Sequence, residues 1–230
     1  MTTSLPKNNH KISYSFEGSD LIVASLLRNI QDGIYIDVGA NHPEVQNNTR
    51  YFYELGWNGL AIDGNEEFEK LWNQKRPRDI FVSELISDVV KEVEFAIYPE
   101  NTISSIDVST IQRYSTRFTN EEIIKKILST NTLFNLKNKY FGEREIHLLS
   151  VDIEGEDLNC LVGANLDKWK PGVIVIETKN LSLYEVSDNE IVTYLSNLGY
   201  RLIAKTPLDA FFVYPSKTYL EWIPKQLLLN

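Results

Sequence analysis

One cysteine, three histidines and no long apolar run set the first limits on this 230-residue chain. Cys160 alone cannot form an intramolecular disulfide or a multi-cysteine zinc site, and its isolation fits a reducing compartment. No stretch reaches the roughly 18 consecutive apolar residues of a membrane span. The polar N-terminus lacks the apolar centre of a secretory signal. A cytoplasmic protein without a membrane span is the expectation. Positive charge is also short: 23 Lys and Arg face 32 Asp and Glu, for a net charge of −9. That balance argues against a general nucleic-acid binder, with local basic patches within 70–78 and 113–144 as the places to check. The 11 glycines form no G-x-x-x-x-G-K-[ST] loop for a nucleoside triphosphate and no G-x-G-x-x-G turn for a dinucleotide. No serine sits in a nucleophile-elbow pattern.

Apolar residues, at 43% with 11% aromatics, suffice for a substantial core. They are arranged in alternating strand and helix patterns. Apolar runs at 34–38, 59–63, 80–86, 146–152 and 173–177 read as strands. Helical spacing marks 20–30, 48–55, 66–75, 156–164 and 188–198. Strands alternating with helices predict a parallel sheet covered on both faces. The last two strands, 200–204 and 210–214, are separated only by a short loop at Pro207 and must pair antiparallel. Between them and the third strand lie an alternating strand at 91–98 and a less regular insertion at about 101–145. Within the insertion, 123–128 reads as helix or strand and 133–141 as a helix. A final amphipathic helix is expected at 217–223. The chain thus divides into an arm and helix (1–32), a main domain (33–214) and a C-terminal helix or tail (215–230).

The most informative run is Ile34-Tyr35-Ile36-Asp37-Val38-Gly39-Ala40-Asn41, an apolar strand ending in an acid, a glycine and an asparagine. Gly59-Leu60-Ala61-Ile62-Asp63 repeats the form. Two parallel strands of this kind suit a nucleoside, with backbone amides offered at the first turn and a carboxylate for the ribose hydroxyls at the second. Asp37, Asp63, Glu84, Asp152 and Glu177 all fall at or near strand ends, where open α/β sheets bind ligands. A crescent of carboxylates fits a cationic nucleoside with free hydroxyls better than a pyrophosphate, which seeks N–H groups and positive charge.

The run Ile36-Asp37-Val38-Gly39-Ala40-Asn41-His42-Pro43, then Asn48-Thr49, Phe52-Tyr53, Gly56-Trp57, Gly59 and Ile62-Asp63, resembles the FkbM family of S-adenosylmethionine-dependent methyltransferases. So do Leu85-Ile86-Ser87-Asp88, Val151-Asp152-Ile153-Glu154-Gly155 and Ile176-Glu177. The resemblance covers roughly 33–100 and 130–214. It implies an α/β fold with a seven-stranded, mostly parallel, Rossmann-like methyltransferase sheet, helices on both faces and an antiparallel last strand. It also implies O-methylation of small molecules, often sugars in polysaccharide biosynthesis. Asp63-Gly64-Asn65 departs from the family's usual Glu-Pro-Asn or Asp-Pro-Asn while keeping the carboxylate. The stretch 104–129 is longer than the usual connection.

The expected cofactor set is Asp37, Val38, Gly39, Ala40, Asn41, Thr49, Asp63, Gly64, Ser83, Glu84 and Asp152. Asn41 also reads as a cap, and Asp63 as the N-cap of the helix at 66–75. The expected catalytic set is Asp152, Glu154, Glu177 and His42. Asp152 or Glu154 is the candidate base for a sugar hydroxyl, which is a poor nucleophile while protonated. Structural roles compete: Asp152 as a cofactor-orienting group, Glu154 in the first turn of a helix, His42 as a turn residue before Pro43. Asp152, Glu154 and Glu177 are compatible with an oxygen-liganded Mg²⁺ or Ca²⁺ without requiring one, so no metal ligand is assigned. Tyr114, Phe118, Tyr140 and Phe141 are the candidate sugar platforms, with core packing as the alternative. The expected partner is a small-molecule or glycan acceptor. Rival readings are a non-sugar acceptor (amine, phosphoryl-type group or other hydroxyl) and a nucleoside-binding protein without turnover. His10 and His147 are not assigned to the site.

Overall fold

The computed structural model describes residues 11–98, 104–107, 110–112, 118, 122–178, 181–182 and 186–227. His10, Tyr114 and most of 1–15 in the expected arm lie outside these, as does part of the insertion.

In chain order the elements are α1 (Ser19–Leu26), β1 (Ile34–Val38), α2 (Arg50–Glu54), β2 (Asn58–Asp63), α3 (Glu69–Lys75), β3 (Ile80–Ser83), β4 (Leu85–Ile86) and β5 (Glu92–Ile97). There follow β6 (Ser104–Ser105), β7 (Ile124–Asn131), α4 (Leu133–Phe141), β8 (Leu148–Val151), α5 (Asp157–Ala164), β9 (Val173–Glu177), α6 (Glu190–Asn197), β10 (Arg201–Lys205) and β11 (Asp209–Val213). Seven strands form one sheet in the order β10-β11-β9-β8-β1-β2-β3. Strands β1, β8 and β9 are buried along their whole length, as expected of strands covered on both faces. Their side chains alternate between two cores. Ile36, Leu149, Ile174 and Phe212 pack with α4, α5 and α6. Tyr35, Leu148, Val175 and Phe211 pack with α1, α2 and the C-terminal segment.

The sheet is mixed rather than mostly parallel. Its β1, β2, β3, β8 and β9 pairings are parallel, whereas β11 is antiparallel to both β9 and β10. The short 206–208 connection forces the β10–β11 hairpin, and β11 then slots between β10 and β9.

Two other expectations change, and one left open is resolved. The run 80–86 is two strands, not one. Ile80–Ser83 pairs with β2, but Leu85–Ile86 leaves the sheet to pair with β7. There Leu85 packs beside Phe95 and Ile97. The ambiguous 123–128 is a strand, β7, which pairs antiparallel with β5. Strands β4-β7-β5-β6 make a second, four-stranded sheet. The expected helix at 217–223 is a single 3₁₀ turn, Thr218–Leu220, and a second such turn, Lys225–Leu227, follows it. Pro224 blocks a continuous helix, and the segment is instead pinned by buried Leu220 and Ile223 and by a Trp222 Nε1–H bond to the Leu26 carbonyl.

Candidate active site

Strand order reverses at β1, with β2 on one side and β8 on the other. The carboxyl ends of strands at such a reversal leave a crevice. Here it is a cavity of about 560 Å³, within the range of small-molecule sites. The ends of β1, β2, β8 and β9 form its floor, and the second sheet supplies a wall through Leu85, Ile86, Phe95 and Ser105.

At the β1 turn, Gly39 adopts φ +78°, and a Cβ there would sit 1.7 Å from the Asp152 carbonyl oxygen. Only glycine lets the β1 and β8 exits touch. The turn's amides are not offered to a ligand: Gly39 and Ala40 N–H both donate to the Ile62 carbonyl, and Asn41 N–H to Asp63 Oδ2. The β1–β2 ladder continues through the turn and consumes them. Asp63 accepts a second amide, from Asn65, on Oδ1, and Asn65 rather than Asp63 caps the following turn. Burial lifts the Asp63 carboxyl to about 6, opposed by these two amide bonds and reinforced by Asp37. Gly64 has its own reason: a Cβ would lie 2.4 Å from Leu85 and 2.7 Å from Phe95. The second sheet therefore occupies the space a larger residue would need.

At the β8 exit, the Asp157 carboxylate accepts the Ile153 and Gly155 amides, while Ser105 of β6 donates to the Glu154 carbonyl. Glu154 sits at φ +51° and Gly155 at φ +105°, which turns the chain sharply into α5. Asp152 opens into the cavity. Although the residue is partly open to solvent, desolvation at the cavity floor, then the charges of Glu177, Asp157, Glu154 and Asp209, push its carboxyl above the ordinary carboxylate range. Carboxylate oxygens of Asp152, Glu154 and Glu177 lie within 4.8 Å of one another. His42 accepts the Glu44 and Val45 amides on Nδ1, so the network assigns its proton to Nε2.

Of the expected residues, Val38, Gly39, Asn41, His42, Asp63, Gly64, Glu84, Asp152, Glu154 and Glu177 all line the cavity. Asp37, Ala40, Thr49 and Ser83 do not. Asp37 and Thr49 belong to a buried polar network beneath the turn, where Thr49 Oγ1 donates to Asp37 Oδ2 at 2.7 Å. Fully buried Arg76 joins it, donating to Asn47, Tyr35, Thr49 and Asp79. Asn47 in turn donates to the Ala40 carbonyl, so the network holds the Gly39 turn from below. Ser83 is exposed on the β3 edge. The candidate basic patches are largely engaged: Arg76 in this network, Lys75 with Glu44, Lys125 with Glu94 and Lys126 with Glu66. Among the candidate platforms, Phe141 is core, Tyr140 packs against that core, and Phe118 meets the Tyr98 ring at a tilt.

Sequence reasoning missed Phe16, Val45 and Leu208 at the cavity mouth and Ser104, Ser105 and Glu156 on its walls. Phe16 had one signal, as the second aromatic of the Tyr14-Ser15-Phe16 run at the end of a polar arm. The others had none, because tertiary contacts alone bring them to the cavity.

The family model of the Methyltransferase FkbM domain matches residues 37–202. The chain belongs to the FkbM methyltransferase family. Two solved structures are similar over most of both chains. One is a TehB-like SAM-dependent methyltransferase from Corynebacterium glutamicum, at 10% identity, TM-score 0.42 and 90% coverage of each chain. The other is a precorrin-6y C5,15-methyltransferase from Geobacter metallireducens, at 12% identity, TM-score 0.42 and coverage of 85% of this chain and 86% of that one. Among curated proteins, none matches the sequence. The FkbM domain begins at Asp37, so Phe16 and the segment that carries it lie ahead of the matched region.

Proposed function

We propose that this FkbM-family protein is an S-adenosylmethionine-dependent O-methyltransferase acting in the cytoplasm on a hydroxyl of a saccharide or glycan precursor. The observation that carries the reading is the pairing of Asp63 and Asp152 across Gly39 on one cavity floor. The donor set fits the cofactor. Asp63 has a free lone pair on each oxygen for ribose hydroxyls, beyond the two amide bonds it already accepts. Ser104 Oγ is buried on the wall with no hydrogen-bond partner among the described residues, which leaves it a donor or acceptor for a ligand. Phe68, Ile62 and Leu85 supply apolar surface beside Asp63 for an adenine. Asp152 faces the region where a cationic centre would be favoured.

When bound, S-adenosylmethionine supplies an electrophilic methyl carbon. The chain's own part is to position the acceptor in line and take its proton. Asp152, held above the ordinary carboxylate range, is the base at the β8 exit. Its carboxylate Oδ would take the proton of the acceptor hydroxyl and so make that oxygen nucleophilic. Glu177 and Glu154 accept hydrogen bonds from neighbouring hydroxyls and fix their direction. His42 Nε2–H, on the rim, donates to an acceptor oxygen. The second sheet and Phe95 keep water from the floor.

Calorimetry with S-adenosylhomocysteine tests the cofactor assignment, and product mass after incubation with saccharide, amine and phosphoryl acceptors tests the atom methylated. Absence of cofactor binding, or a mass increase only on non-hydroxyl acceptors, overturns the reading.

A further inference from the structure

Residues 14–19 cross the cavity mouth and are fastened at both sides. The Tyr14 carbonyl accepts the Asn47 amide on one rim loop. On the other, Glu17 Oε2 accepts the Leu208 amide, and Ser19 Oγ donates to Asp209 at 2.6 Å. The buried Asp20 carboxylate ties the approach by accepting Ser13 and Ser15 hydroxyls and the Tyr14 amide. This strap presents Phe16, 69% exposed, at the mouth beside Val45, itself 59% exposed.

The charge pattern below it is one-sided. Six carboxylates line the cavity (Asp63, Glu84, Asp152, Glu154, Glu156 and Glu177), and no Lys or Arg does so among the described residues. Nearby cations face elsewhere. Lys205 is turned onto the Thr178, Thr206 and Pro207 carbonyls, and Arg76 lies in the network under the floor. A phosphate or carboxylate entering this space would meet these six carboxylates and, among the described residues, no Lys or Arg on the lining. Hydroxyls would meet acceptors. A ring with an apolar face would meet Phe16.

Building on the methyltransferase reading, we propose that the strap completes the acceptor end of the cavity, with Phe16 as a specificity-determining platform. The site selects an uncharged, polyhydroxylated ring that stacks its C–H face on Phe16, and it rejects phosphorylated or carboxylated acceptors. Phe16 itself takes no part in the chemistry.

The test is a binding measurement on the full chain saturated with S-adenosylhomocysteine. Methyl glucoside, methyl galactoside and methyl mannoside are compared with the three hexose 6-phosphates by saturation-transfer NMR and calorimetry. At least one uncharged glycoside is expected to bind, with saturation concentrated on one C–H face, and at least tenfold more tightly than any phosphate. Phe16→Ala should weaken that glycoside threefold or more and leave S-adenosylhomocysteine affinity within twofold, and Phe16→Trp should restore it. Phosphates binding as well as the glycosides, no glycoside binding, or Phe16→Ala without effect each overturns the acceptor assignment while the cofactor reading stands. Failure of the wild-type protein to bind S-adenosylhomocysteine overturns that reading first, and the acceptor assignment with it.

Discussion

At the β1–β2 end of the cavity the backbone is fully committed, whereas the far end is closed by side chains on separate segments. Gly39, Ala40 and Asn41 amides are consumed by Ile62 and Asp63, and the Arg76 network clamps the turn from below. Opposite them, Phe16, Leu208, Ser105 and Glu177 come from four stretches distant in sequence, tied together by bonds such as Ser105 Oγ to the Glu154 carbonyl and the Leu208 amide to Glu17. A ligand end built on a continuous ladder is rigid and varies little in shape. An end assembled from loops can change its occupant while the floor stays fixed. The contrast matches a common cofactor at one end and a variable acceptor at the other.

The comparison can be broken by substitution, beginning where the effect should be largest. Asp152→Asn is expected to lower kcat by about 10²–10⁴-fold, the usual range for losing a general base, with S-adenosylhomocysteine affinity changed far less. Equal losses in both would move Asp152 to the cofactor end. Next, Arg76→Ala leaves the buried Asp79 without its cationic partner, with side-chain exposures of 0% and 1% in the pair, although the Tyr35 hydroxyl and the Gly59 amide still donate to it. Denaturant titration should report about 3–5 kcal/mol of lost stability, and a loss below about 1 kcal/mol would show that the turn needs no clamp.

A smaller effect is expected for Asp63→Asn. Removing hydrogen bonds to a charged acceptor is worth about 1.5–3 kcal/mol, so S-adenosylhomocysteine affinity should fall roughly 10- to 100-fold by calorimetry. Unchanged affinity would take the ribose away from β2.

The smallest change is a pH effect. Asp63 is raised to about 6, above its unfolded value, so the folded state holds the proton more tightly. Its contribution to stability is therefore greatest below about pH 4 and is lost as pH rises to about 6. Asp157, likewise raised to about 6 by burial, adds a slope of the same sign. Ligand binding runs the other way, because the ionised carboxylate is the better acceptor. At pH 5 roughly one Asp63 in ten is ionised, so affinity should be about tenfold weaker than at pH 8. Asp63→Asn should flatten that dependence, and a slope that survives it would belong to another group.

Much of the fold was legible because burial imposes period and composition. The runs Ile34–Val38 and Val173–Glu177 could be read as strands since both of their faces must be apolar. Asp63 and Asp152 were legible as cavity residues because strand ends in such sheets face the crevice. Asp37 was misleading for the opposite reason: it lies one residue before the end of β1, and the pleat turns it down toward Thr49 and Asn47 rather than up to a ligand.

By itself, the sequence determined the family, the alternation of strands and helices, and the acids at the strand ends, since each is written in local pattern. Tertiary structure alone decided the break at Glu84, the second sheet that walls the cavity, the mixed direction of the main sheet and the strap that brings Phe16 to the mouth. Those features rest on contacts between residues far apart in the chain. No local periodicity encodes such contacts, and their geometry exists only once the core has closed.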